Sequence, residues 1–151
     1  MQPHEIQPDT QLCTIIGYNA QTGETRRYFN RVLKNAQLNA TAIALNINDD
    51  HFAFTMQNLP HSKVDKMIVQ EEFGVDALRY CDETNATDSI DFIEVVDGKI
   101  VGINLDATLS QHINTQMLDA RARLAGKMIL IAHRWYGAEI DMDAIPLILK
   151  D

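Results

Sequence analysis

A chain of 151 residues has the length of one globular domain, and 46% apolar residues are enough for a real core. Its formal charge of −8 speaks against nucleic acid and anionic membrane as partners, since both select basic surfaces. No apolar run reaches the roughly 18 residues of a membrane span. The N-terminal residues Met1-Gln2-Pro3-His4-Glu5 lack the basic start and apolar core of a secretory signal. Cys13 and Cys81 are far apart, and Cys13 sits in an apolar run, so the chain reads as cytoplasmic and without disulfides. The tightest basic groups, Arg26-Arg27 and Arg121-Ala122-Arg123, read as solvated helix faces.

In chain order, Leu12 to Tyr18 is a short apolar run ending near glycine, which suits a buried strand. A helix can start near Thr22-Gly23-Glu24-Thr25. Tyr28, Phe29, Val32, Leu33 and Ala36 then give it one apolar stripe. Thr41 to Ile47 alternates as a strand. Strand, helix, strand is a unit of an α/β sheet. Phe52, Phe54 and Met56 alternate, and a strand is predicted there, although Phe52, Met56 and Leu59 also fit a helix face. After Pro60, Ser62 is placed to cap a helix over 63–73, with Val64, Met67 and Ile68 buried and Gly74 as its stop. Thr84 to Asp88 reads as a loop. Gln111 to Tyr136 reads as a long helical region interrupted near Gly126 and ended by Gly137. Asp143 is placed to cap a last short helix through Ile148, with Pro146 in its first turn.

The most specific stretch is Ile90 to Asp106. Asp97-Gly98 is the preferred pair for a tight hairpin turn, and apolar residues flank it on both sides. The second arm ends in Asn104-Leu105-Asp106. Period-two alternation points the amide and the carboxylate the same way. Each has two readings: Asp106 caps the next helix or lines a pocket, and Asn104 holds loop backbone or reaches a ligand. The histidines show no metal-binding spacing, so no metal site is expected.

The run Asp97-Gly98-x-x-x-Gly102-x-Asn104-x-Asp106 closely resembles the D-G-x-x-x-G-x-N-x-D-G segment of the shikimate dehydrogenase family. Ile16-Gly17-Tyr18 with a following helix bearing Phe29-Asn30, Leu38-Asn39-Ala40, a weaker Pro60-His61-x-Lys63, and Trp135-Tyr136-Gly137 followed by Asp141 to Ile145 resemble other parts of that family in the same order. The resemblance implies the fold of the family's N-terminal, substrate-binding domain. That fold is α/β, three-layer αβα, with a mainly parallel sheet and one antiparallel strand supplied by the hairpin. Residues 1–151 would form that single domain. A dinucleotide-binding unit needs G-x-G-x-x-G after a strand, and the glycines at 17, 23, 74, 98, 102, 126 and 137 offer none. No cofactor is therefore expected to be held.

The resemblance also implies roles. Asp106 matches an acid that works with a lysine on the substrate hydroxyl. The lysine's position is Ser62 here, and Lys63 lies one place later, a slip of about 100° if residue 62 begins a helix. Asp106 and Lys63 are thus the catalytic candidates. Thr25, His61, Asn104, Asp106 and Lys127 are the substrate-binding candidates. The carboxylate-binding serines of the family correspond to Gln21 and Gly23, and an asparagine corresponds to Asp91, which would repel a carboxylate. The expectation is a stand-alone substrate-binding domain, catalytically inactive, that binds a small shikimate-like polyol or carboxylate or acts as an interaction module such as a homo-oligomer. The alternative is an oxidoreductase half that needs a cofactor domain from another chain.

Overall fold

The computed structural model describes residues 8–150, so the reading of residues 1–5 lies outside the described residues. The first strand–helix–strand unit forms where predicted, as β1 (Gln11–Gly17), α1 (Glu24–Asn35) and β2 (Ala40–Asn46). In β1, Ile15 and Ile16 point to opposite faces and both are 0% exposed, so both faces of the sheet are covered there. In β2 the small residues Ala42 and Ala44 are buried, while Ile43 and Leu45 stay 41% and 39% exposed.

The strand predicted over Phe52 to Met56 is instead a helix, α2 (Asp49–Asn58). Asn48 caps it, with its side-chain oxygen accepting from the His51 backbone N–H at 2.9 Å. Asp49 and Asp50 in the first turn complement the helix dipole. Phe52 and Met56, four apart, are buried, and Phe54 between them is 67% exposed. The alternation of three apolar residues was outweighed by this cap.

The helix predicted over 63–73 is also replaced. Leu59–His61 is a short 3₁₀ turn that finishes α2. The Ser62 hydroxyl accepts from the Val64 N–H, an ordinary turn bond. Lys66–Val69 is strand β3, and α3 (Glu71–Ala77) follows it, with Gly74 buried inside the helix rather than stopping it. Met67, Ile68 and Val69 are all buried, as in a central strand covered on both faces.

The hairpin forms as predicted. Strands β5 (Phe92–Val96) and β6 (Lys99–Ile103) pair antiparallel, with Val96 opposite Lys99. Asp97 and Gly98 have φ of 53° and 77°, the two positive values that a type I′ turn requires. Thr84, the first residue of the stretch read as loop, instead ends a two-residue strand, β4 (Glu83–Thr84), parallel to β6. The six strands run in the order β2-β1-β3-β5-β6-β4. Strand β5 is antiparallel to both neighbours, β3 and β6, while β1–β3 and β4–β6 are parallel pairs. The single antiparallel strand therefore comes from the hairpin.

The chain divides into two compact units. One comprises Leu12–Gly23 and Ile43–Asn104. Its core includes Ile16, Phe52, Met56, Met67, Phe73 and Ile93, with the Phe52 and Phe73 rings stacked at 4.5 Å. The other takes in, among the described residues, those up to Gln11, Glu24–Ala42, and those from Leu105 on. There α1 is joined by α4 (Asp106–His112), α5 (Ala120–Tyr136) and α6 (Ile145–Leu149). Phe29 meets Trp135 edge-on at 6.2 Å.

The interruption expected near Gly126 lies earlier, over 113–119. Asn114 caps a 3₁₀ turn at Thr115–Met117, and Asp119 starts α5 by accepting from the Ala122 N–H at 2.8 Å. Helix α5 runs through Gly126 without a break. A Cβ there would come within 2.7 Å of Leu109 Cδ1, so this glycine serves the close packing of α4 on α5. Gly137, at φ 68°, closes the helix as predicted. Asp141, rather than Asp143, caps the closing turn by accepting from the Asp143 N–H, and Pro146 lies in the first turn of α6. No helix among the described residues is long and apolar enough to cross a membrane.

Candidate functional site

Open α/β sheets present their ligands beyond the carboxyl ends of the parallel strands. In the sheet-bearing unit, the ends of β1 and β3 carry a polar lip. The Tyr18 backbone N–H donates to Glu72 Oε2 at 2.8 Å, and its hydroxyl donates to Asp49. The Gln21 N–H donates to Asn46 Oδ1 at 2.9 Å, which ties the loop after β1 to the end of β2. Gln70 holds the capping position of α3, but its side chain makes no capping hydrogen bond. Its carboxamide lies between two glycines instead. A Cβ on Gly17 would stand 1.9 Å from Gln70 Oε1, and one on Gly23 would stand 2.9 Å from Gln70 Nε2. Any side chain at either glycine would displace the amide.

Tyr18 is held above the ordinary tyrosine range. Its bond to Asp49 is the largest cause, followed by desolvation and by the negative charges of Asp49, Glu72 and Asp76. The bond needs the protonated phenol, so whatever it contributes is present at neutral pH and is lost as pH rises from the unperturbed value through the raised one. An ultraviolet titration of tyrosinate is expected to show a late contribution from Tyr18 that is lost in Tyr18→Phe and moves toward the ordinary range in Asp49→Asn. An unchanged late phase in both variants would refute this assignment.

The residues singled out from the sequence are distributed as follows. Thr25 is the second residue of α1 and is buried. His61 ends the 3₁₀ turn after α2, and Lys63 lies in the turn before β3; both are exposed. Asn104 follows β6. Its side-chain amide donates to the Ser89 carbonyl at 3.1 Å, while its backbone N–H and carbonyl bind the side chain of Asn85. The amide thus secures loop backbone. Asp106 is the first residue of α4, and Leu105, which holds the capping position, makes no side-chain cap. Its Oδ1 lies 2.7 Å from Lys127 Nζ, with the aspartate side chain 73% exposed and the lysine side chain only 18%. Of the proposed pocket residues, the structure brings Asp106 and Lys127 together.

Sequence reasoning passed over Tyr18, Asn46, Asp49, Gln70 and Glu72. The available signal was position, because each sits at or just beyond the end of a strand. Reading 63–73 as a helix hid the end of β3, and with it Gln70 and Glu72.

A mixed sheet in this order, with helices and one reversed strand, defines the class as an α/β domain. No family model and no curated protein matches the chain. Solved structures do share the fold. Shikimate dehydrogenase from Aquifex aeolicus superposes with a TM-score of 0.61 at 18% identity, over 83% of this chain and 54% of that one. Shikimate 5-dehydrogenase from Listeria monocytogenes, solved with shikimate and NAD, gives 0.60 at 15% identity over 70% of this chain and 38% of that one. The ligand-free 5-ketofructose reductase of a Gluconobacter strain gives 0.60 at 13% identity over 76% and 43%. The chain spans about half the length of these proteins or less. The fold is that of part of a shikimate dehydrogenase, as the sequence resemblance implied.

Proposed function

We propose that this chain is a binding module for a small, hydroxylated molecule and does not by itself carry out nicotinamide-dependent oxidation. The observation that carries the reading is the lip at the ends of β1 and β3, where Tyr18, Gln70 and Glu72 gather around two glycines. Solved proteins of this fold are named for shikimate and 5-ketofructose, both small and rich in hydroxyls. The absence of G-x-G-x-x-G within these residues supports binding without hydride transfer.

The test is thermal unfolding with shikimate, its methyl ester or 5-ketofructose. A ligand at about 100 times its dissociation constant stabilises by roughly 2.7 kcal/mol, which moves the melting temperature by several degrees. At least one of the three is expected to do so, with no NADP reduction by the pure chain. A flat response to all three, or turnover of shikimate with NADP, overturns the reading.

A second reading has one observation behind it. Asp106 has a lysine partner, Lys127 rather than Lys63. A Lys–Asp pair is what the family resemblance implies for an oxidoreductase half completed by another chain's cofactor domain. Activity that appears only on adding such a domain, and that is lost in Lys127→Met, would favour it.

A further inference from the structure

We propose that the arginines gathered around Tyr28, on α1 and α5, hold a phosphate group, with Arg27 and Arg31 supplying the hydrogen bonds and Arg121 a third positive charge. None of these residues belongs to the lip, so the proposal stands apart from the binding reading above.

Three features carry it. First, like charges are concentrated and incompletely answered. The guanidinium carbons of Arg27, Arg31 and Arg121 stand 5.8, 6.0 and 5.9 Å from the centre of one ring. Glu24 Oε2 lies 2.9 Å from Arg121 Nε but 3.7 Å from Arg27 Nη2. Arg31 forms no ion pair with a described residue. Second, the cations are held in place. Arg31 Nη1 donates to the Ile148 carbonyl at 2.7 Å, and Arg121 Nε donates to the Tyr28 hydroxyl at 2.7 Å. The ring between them is fully buried and serves as a fixed floor. A guanidinium carries five N–H donors in a planar fork, so Arg27 and Arg31 keep donors beyond these contacts. The Arg27 side chain is 47% exposed and within reach of a ligand. Two such forks beside a third cation suit a doubly charged oxyanion better than a single carboxylate. Third, the sheet-bearing unit has twelve acidic and four basic residues, which accounts for the whole formal charge of −8. The remaining residues balance at nine of each. An anion is thus repelled by the one unit and accepted on the other.

The test is titration of the full chain with inorganic phosphate, glycerol 3-phosphate, acetate and sodium chloride at matched ionic strength. Binding is followed by the side-chain Nε–Hε shifts of Arg27 and Arg31. Both phosphates are expected to give saturating shifts and to bind at least about tenfold more tightly than acetate. Their affinity should fall about fourfold from pH 7.5 to 5.5, as the second proton (pKa about 6) returns to the phosphate. A tighter fit for glycerol 3-phosphate assigns the group to a phosphorylated small molecule, and a tighter fit for inorganic phosphate assigns it to the free ion. Arg27→Gln should weaken both by about tenfold, the usual loss of one charge-assisted hydrogen bond. Arg31→Lys, which keeps the charge and loses the fork, should do the same. Unchanged backbone amide shifts elsewhere verify that each variant is folded, and Arg27→Gln alone decides should Arg31→Lys fail to fold. Equal shifts with chloride, or unaltered phosphate binding in Arg27→Gln, overturn the proposal. So does a mass that doubles at low salt with no phosphate effect, which would give these arginines to the acidic surface of a second copy.

Discussion

Phe73→Ala is expected to lower the unfolding free energy by about 3–5 kcal/mol, the usual cost of emptying a buried aromatic position. Domains of this kind hold only about 5–15 kcal/mol in all, so the variant should lie near the limit of folding. Phe73 is 0% exposed. It stacks on Phe52 at 4.5 Å and meets the Tyr18 ring edge-on at 4.8 Å. The loss therefore reaches the lip as well as the core. The late titration of Tyr18 should move back toward the ordinary range in any Phe73→Ala protein that remains folded. Urea melts with an unchanged denaturant slope would measure the cost. A loss below about 1 kcal/mol would show that the ring is not packed as described.

Tyr28 offers the equivalent test in the helical unit. Its ring is fully buried. Its hydroxyl donates to Glu24 at 2.8 Å and accepts from Arg121 Nε at 2.7 Å. The guanidinium carbons of Arg27, Arg31 and Arg121 stand 5.8–6.0 Å from the ring centre. Tyr28→Ala is expected to cost about 3–5 kcal/mol. Tyr28→Phe should cost only about 1 kcal/mol, because Glu24 and Arg121 are near enough to water to replace the lost bond. Equal costs for the two variants would mean that the hydroxyl network, and not the ring, holds α1 to α5.

The same cluster shows what the sequence concealed. Arg26-Arg27 and Arg121-Ala122-Arg123 read as two separate solvated faces. Arg27 and Arg121 instead meet on one phenol, with Glu24 bound to both. Pairings across 90 residues leave no local trace. Local signals were otherwise decisive where a backbone requirement was strict. Asp97-Gly98 specifies its turn through two positive φ values, and Gly137 its helix end. The apolar stripe of α1 was legible because Tyr28, Phe29, Val32 and Leu33 recur with one period, although Ala36, read as part of it, lies just past the helix end. Short apolar runs were not legible. Met67-Ile68-Val69 fits a helix face and a buried strand equally, and only its partners on both sides, β1 and β5, decide between them. At Phe52 the cap on Asn48 carried information that alternation overrode. The site suffered most from these misreadings, because its residues are defined by where strands end. Asn104 and Asp106 were singled out through alternation and their resemblance. Gln70 and Glu72 needed the register of β3.

The order of the sheet also fixes a schedule. Val96 and Lys99 are neighbours across a two-residue turn, and hairpins of this kind close in about 1–10 μs. Thr14 must wait for Met67. During synthesis at roughly 5–20 residues per second, β3 follows β1 out of the ribosome by seconds. Ile15 and Ile16, which end with no contact with water at all, spend that interval in a nascent chain whose central strand has not yet been made. Strand β1 is thus completed late, and its isoleucines stay without their β3 neighbours until Met67 to Val69 have been made.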